Sequence, residues 1–205
     1  MEFALNNGAE AARVSISNNN SSNIEVRDNK IDKLQEANQN SMNIDLYVEK
    51  KYSSISTNRL NDKEELKRFI KEAISGTRFL AEDEFRTLPD PELYYKGGGI
   101  QLKTVDPDFW NLDPQNKVDH AFQIEKEVLG KDERIISMTA SYNDSYSGRV
   151  MVASNGFEGD KENTSYSVVA SVSVKDGEVR PQGYWWESSL YYSQLLSDGV
   201  GMKAL

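Results

Sequence analysis

The sequence predicts an α+β fold in which mainly antiparallel sheets pack with a few amphipathic helices. Three observations carry this. Apolar and polar residues alternate with period two in both halves of the chain, apolar residues recur at helical spacing in two segments, and the regular strand–helix–strand order of a parallel sheet is missing. At 205 residues the chain makes one domain or two small ones, large enough to bury a core without disulfides.

Residues 1–7 read as the last turns of an amphipathic helix, with Gly8 in the left-handed stop position. Ala12, Val14 and Ile16 then alternate with Arg13, Ser15 and Ser17, the pattern of a half-buried strand. A polar turn is expected at Asn18–Asn23, followed by Ile24 and Val26, a turn at Asp28-Asn29-Lys30 and a polar stretch through Asn40. Met42, Ile44, Leu46 and Val48 alternate again, a tight turn follows at Glu49–Lys51, and Tyr52–Thr57 completes an antiparallel meander. Asn61 and Glu64 have capping-box spacing, so a helix should start there, with Leu66, Phe69, Ile70, Ala73, Ile74 and Thr77 laid on the apolar face of the meander.

From Ala81 to Leu112 the chain carries Leu88-Pro89-Asp90-Pro91, Gly97-Gly98-Gly99 and Asp106-Pro107, a long connection that divides it into subdomains of about 1–80 and 112–205 joined by 81–111. Asp113 as N-cap and Pro114 as first residue open a second helix, with Val118, Ala121, Phe122, Val128 and Leu129 inward and Gly130 closing it. Alternation at Ile136–Tyr142, Val150–Val152 and Tyr166–Val174, an Asp176-Gly177 turn and the run Val179 to Trp186 predict a second antiparallel sheet. Leu190, Tyr191, Leu195 and Leu196 predict a short helix broken by Gly199 and Gly201, and Met202–Leu205 the opening of another, so that both ends of the chain read as cut.

Charge and composition limit the chemistry. With 33 acidic against 24 basic residues the net charge is −9, which opposes direct contact with duplex nucleic acid. No apolar run approaches a membrane span, and the start lacks a basic and apolar leader, so a soluble, cytoplasmic protein without membrane partners is expected. One His and no Cys cannot supply the ligands of a catalytic zinc. His120 falls opposite the apolar stripe of its helix and reads as a solvated surface residue; a serine triad would need that same His, and no Gly-x-Ser-x-Gly elbow accompanies it.

Asp106, Asp108 and Asp113 lack the spacing of a calcium loop and read as caps and loop residues. Gly97-Gly98-Gly99 is followed by the strand-like run Ile100–Val105 and no Lys-Ser/Thr, so a hinge is expected there, not a phosphate cradle. Tyr184-Trp185-Trp186 with Tyr191 and Tyr192 read as core or interface in preference to a stacking surface for a sugar or base. No catalytic, cofactor-binding or metal-ligating residue is predicted, and no cofactor in this chain.

Several strings in order resemble one family. Ile24-Glu25-Val26-Arg27-Asp28-Asn29-Lys30-Ile31, Tyr52–Leu60, Leu88-Pro89-Asp90-Pro91, and Ser154-Asn155-Gly156-Phe157-Glu158-Gly159 with Thr164 resemble the N-terminal region of the TldD/PmbA family, the proteins called modulators of DNA gyrase. The resemblance implies a cytoplasmic metallopeptidase system for proteolysis, built from paired subunits around a chamber in which unfolded peptides are cut. It implies that zinc is held only in the C-terminal half of TldD-type subunits, by a His-Glu-x-x-x-His motif that this chain lacks, and that PmbA-type (TldE) partners lack those ligands. The chain would then be a non-catalytic N-terminal domain that walls the chamber and helps pair a like subunit or a TldD-type partner; the Gly183-Tyr184-Trp185-Trp186 segment leans to the PmbA branch. The alternative is a stand-alone peptide- or ligand-binding module. Strand 164–174, polar without charge, is the candidate edge for adding an extended peptide, against the plainer reading of an ordinary solvent-facing sheet side.

Overall fold

Alternation that the sequence breaks with polar runs is continuous in the structure, a computed structural model describing residues 1–97 and 99–205. Strands β1 (Ala11–Arg27) and β2 (Lys30–Val48) are 17 and 19 residues long. The turn expected at Asn18–Asn23 and the polar stretch before Asn40 are therefore strand. Their polar side chains bond across the ladder, as Asn18 Nδ2 does to Asn40 Oδ1 at 2.7 Å, which replaces apolar packing as the reason to stay extended. Asp28 and Asn29 both take positive φ, 51° and 57°, at the two-residue turn between these strands, and Glu49 and Lys50 do the same before β3 (Lys51–Thr57).

With β4 (Ile135–Ala153), β5 (Glu158–Val174) and β6 (Gln182–Ser189) these strands form one six-stranded sheet in the order β3-β2-β1-β4-β5-β6. The second sheet expected from the C-terminal half does not exist as a separate body, because β1 pairs with β4. The β2–β3 ladder is antiparallel, with Met42 opposite Thr57 and Val48 opposite Lys51; β5–β6 is antiparallel as well, with Tyr166 opposite Ser189 and Ser173 opposite Gln182. The fold is α+β, an antiparallel sheet with helices α1 (Glu2–Leu5), α2 (Lys63–Thr77), α3 (Pro114–Val128) and α4 (Val200–Ala204) among the described residues.

The chain forms two compact units, one of residues 1–18, 39–102 and 148–161, the other of 19–38, 103–147 and 162–205. In the first, Ile70 and Ile74 of α2 are buried with Ala12, Val14, Met42, Ile44, Leu46 and Val48, so the helix lies on the apolar face of the meander as its periodicity predicts. Its N-cap is Asp62, one residue after the expected Asn61; the Asp62 carboxylate accepts from the amides of Glu64 and Glu65 at 2.9 and 3.0 Å. Gly8 has φ +105°, the left-handed conformation expected after α1.

In the second unit α3 and α4 cover a core of Ile24, Val26, Met138, Ala140, Tyr142, Tyr166, Val168, Ala170 and Val172. Gly201 is not a breaker but a buried residue within α4, where a side chain would meet the carbonyl oxygen of Ile124. The short helix expected over Leu190–Leu196 is only a 3₁₀ turn at Tyr192–Gln194.

Candidate functional site

Asp113 caps α3, its carboxylate accepting from the Gln115 amide at 2.9 Å, with Pro114 in the first turn. From that start the buried positions are Lys117, Ala121, Ile124, Glu125 and Val128, spaced i, i+4, i+7, i+8, i+11. This stripe is rotated about one residue from the expected one, so Val118 and Phe122 are only partly buried and Leu129 is exposed. Lys117, 8% exposed, reaches Asp144 Oδ2 at 2.6 Å and Ser22 Oγ at 3.1 Å. Tyr142 donates its hydroxyl to the same Asp144 oxygen at 3.1 Å. Burial, reinforced by the Asp144 charge, pushes the Tyr142 pKa far up, which keeps the phenol a donor. Removing either partner would leave the other buried without its counter-ion, which is strongly destabilising.

Glu125, fully buried, accepts the Asn29 amide on Oε1 at 3.0 Å and so ties the β1–β2 turn to α3. Glu127 accepts the amides of Gly199 and Gly201 at 2.7 and 2.8 Å, closing the N-terminus of α4 from the neighbouring helix.

His120 is not a solvated surface residue. Nδ1 lies 3.0 Å from Ser197 Oγ, Nε2 lies 2.9 Å from the Tyr192 hydroxyl, and the ring stacks on Tyr142 at 5.8 Å. Burial lowers its pKa in spite of Asp198 and Asp119 nearby, so the ring is neutral at neutral pH. The Ser197–His120 pair has the contact of a nucleophile and base, but the second ring nitrogen meets a phenol in place of a carboxylate and Ser197 is buried, which shields it from any substrate.

The three loop aspartates serve separate purposes. Asp106 is buried; Oδ1 accepts the Asp108 amide at 3.0 Å and Oδ2 the Tyr192 amide at 2.8 Å. Asp108 precedes the 3₁₀ turn Phe109–Asn111, and Asp113 is the α3 cap. Thr164, fully buried, accepts the Asp106 amide and donates to Leu190 O, both at 2.8 Å. Of the glycine run, Gly97 has φ +88° and the Gly99 amide donates to the Tyr95 hydroxyl at 2.6 Å, whereas Gly98 lies outside the described residues.

Of the aromatics read as core or interface, Tyr192 packs against the core, whereas Tyr184, Trp185 and Trp186 are exposed on β6, the end strand of the sheet, with Trp185 under Lys203 of α4. One further expectation is corrected. Strand 164–174 is no edge: β5 has β4 on one side and β6 on the other.

Two of the strings that carry the family resemblance, Leu88–Pro91 and Ser154–Gly159, meet in the first unit. Ser154 exchanges hydrogen bonds with Ala12, amide to carbonyl at 2.9 Å and hydroxyl from amide at 3.0 Å. Asn155 donates to Pro89 O at 2.8 Å and accepts from the Tyr94 hydroxyl at 2.7 Å, while Phe157 packs on Tyr94 at 4.8 Å. Gly156 takes φ +96° in the turn between them. These residues build the scaffold that anchors the long connection.

Among the described residues no three His, Cys, Asp or Glu side chains are grouped as a metal ion needs, and both nitrogens of His120 face hydroxyls.

The comparisons agree with this scaffold. Residues 12–76 match the PmbA/TldA metallopeptidase domain 1 and residues 107–205 the central domain of the same proteins. No curated protein matches the sequence. Among solved structures, a protein of Bacteroides thetaiotaomicron VPI-5482 named as a modulator of DNA gyrase is 45% identical with TM-score 0.96, over 100% of this chain and 46% of its own. A protein of Thermotoga maritima MSB8 with the same kind of name (17% identity, TM-score 0.77, 99% and 44% of the two chains) and TldE from Thermococcus kodakarensis (16%, 0.81, 99% and 45%) share the fold. The chain thus spans about half the length of these relatives. Two domain models of one family, met in order along the chain, and a structural relative that is 45% identical over all of this chain identify it: the chain belongs to the TldD/PmbA family.

Proposed function

We propose that this chain is the non-catalytic N-terminal part of a cytoplasmic TldD/PmbA-type metallopeptidase subunit, on the PmbA side, walling a chamber where unfolded peptides are degraded and helping to pair with a like or TldD-type subunit. The observation that carries the reading is the ordered match of the first and central domains of a metallopeptidase family to this chain. Two of the polar residues gathered in the second unit fit this division of labour, since His120 and Asp106 each bond to neighbouring elements.

The test mixes the purified chain with a TldD-type subunit and an unstructured fluorogenic peptide. The chain alone should release no fluorophore; together with the partner it should co-elute, and chelator-sensitive cleavage should be seen only when the partner is present. Chelator-sensitive cleavage by the chain on its own would overturn the assignment, and failure to associate with either type of subunit would remove the pairing role.

A further inference from the structure

Beside the Lys117–Asp144 pair a cleft of about 430 Å³ opens, walled also by Glu36, Phe109, Trp110 and Leu112. A second, more apolar hollow of about 470 Å³, walled by Ile31, Leu34 and Phe122, shares Ser22, Glu36, Pro114 and Lys117 with it. Both are of ligand-site size and lie within the second unit.

Three features make the first cleft more than a surface dent. An ammonium has three donors, and among the described residues Lys117 directs only two hydrogen bonds, to Asp144 and Ser22. Asp144, 3% exposed, lines the cleft with Oδ2 taken by Lys117 and Tyr142, while Oδ1 has no hydrogen-bond partner among the described residues. Burying a carboxylate oxygen unpaired is unfavourable and leaves the site a use for a donor. Trp110 is 61% exposed, yet its ring is held against Phe109 at 5.0 Å and Tyr146 at 5.1 Å, a fixed aromatic wall.

A spare donor beside a spare acceptor is the complement of an amide group. An anion fits badly, since Asp144 and Glu36 place two carboxylates around the single ammonium of Lys117. The adjoining apolar hollow exceeds what a lone small amide needs but suits a peptide, whose main chain can lie at the polar end while a side chain enters beside Leu34 and Phe122. We propose that the cleft at the start of α3 binds the main-chain amides of an extended, uncharged peptide stretch, with an apolar side chain seated in the neighbouring hollow. The inference rests on the peptide-handling role above and names where in this chain the peptide would touch.

The probe is a capped neutral peptide, acetyl-Ser-Leu-Ser-Leu-Ser-amide, titrated into the full chain carrying Trp185→Phe and Trp186→Phe, so that Trp110 alone of the three tryptophans reports. A saturable change in Trp110 emission is expected. By calorimetry on the otherwise unchanged chain, Trp110→Ala and Leu34→Asp, both at exposed positions, should each weaken binding at least tenfold while circular dichroism shows the chain still folded at the titration temperature. No saturable binding, equal affinity in the Trp110→Ala chain, or displacement of the peptide by inorganic phosphate would each overturn the proposal. A chain that pairs with its partner subunit yet ignores the capped peptide would sink this site and leave the proposed function standing.

Discussion

Lys117 and His120 lie three residues apart on α3, and both are residues that sequence periodicity hands to water. Neither stays there, because each finds a partner supplied by a distant strand or loop: Ser22 lies 95 residues from Lys117, and Ser197 lies 77 from His120. The half-buried His120 gives a pH dependence with a definite sign. Its folded-state pKa lies below the ordinary 6.5, so on acidification the unfolded chain takes up the proton first and stability is lost as pH falls below about 6.5. Thermal melting followed from pH 7.5 to 5.5 should show the midpoint falling, and His120→Gln should flatten that part of the curve; an unchanged slope in the variant would assign it to other groups. At the surface, Asp62→Ala removes the acceptor of two amides of α2 and should lower the chemical-denaturation midpoint, whereas Asn61→Ala, one residue earlier, should shift it far less.

At the scale of elements, α4 shows how five residues can persist as a helix. A helix this short has no stability of its own, and it is held by Glu127 on its first amides and by close approach of Gly201 to α3. A Cβ on Gly201 would stand 2.6 Å from Ile124 O and 2.8 Å from Val128 Cγ2, so Gly201→Ala should destabilise the protein by about 1–3 kcal/mol, read as a lowered denaturation midpoint. Glu127→Gln, which keeps an acceptor, should be milder than Glu127→Ala. Helix starts were legible because caps act over two or three residues: Asp113-Pro114 is read directly, and Asp62 is missed by one place because Asn61 is an equally good capping residue. The inward face of α3 was misread for a related reason. The true stripe contains Lys117 and Glu125, which a pattern built on apolar residues skips, although the spacing Lys117, Ala121, Ile124, Val128 was there to be seen.

For the whole molecule, the position of each strand in the sheet governs its exposure. β5 has neighbours on both sides while β3 and β6 end the sheet. Amide hydrogen exchange should therefore be slowest in the buried part of β5, Thr164–Val172, and much faster at the outward amides of β6; β6 amides as slow as those of β5 in the isolated chain would mean that another chain covers this edge. The exposed Tyr184 and Trp186 lie on that strand.

The sequence by itself determined the α+β class, the two long helices with the Asp113 cap of α3, the tight turns at Asp28-Asn29 and Glu49-Lys50, and the family, because each of these rests on residues that act over a few positions or on strings met in order. Only the tertiary structure decided that polar runs such as Asn18–Asn23 continue as strand, that the strands form one sheet with β6 and not β5 at its edge, and that Lys117, Asp144 and His120 are drawn inward. Strand pairing and the burial of a polar group depend on partners brought from far along the chain, and that closeness is a property of the folded packing that no local pattern records.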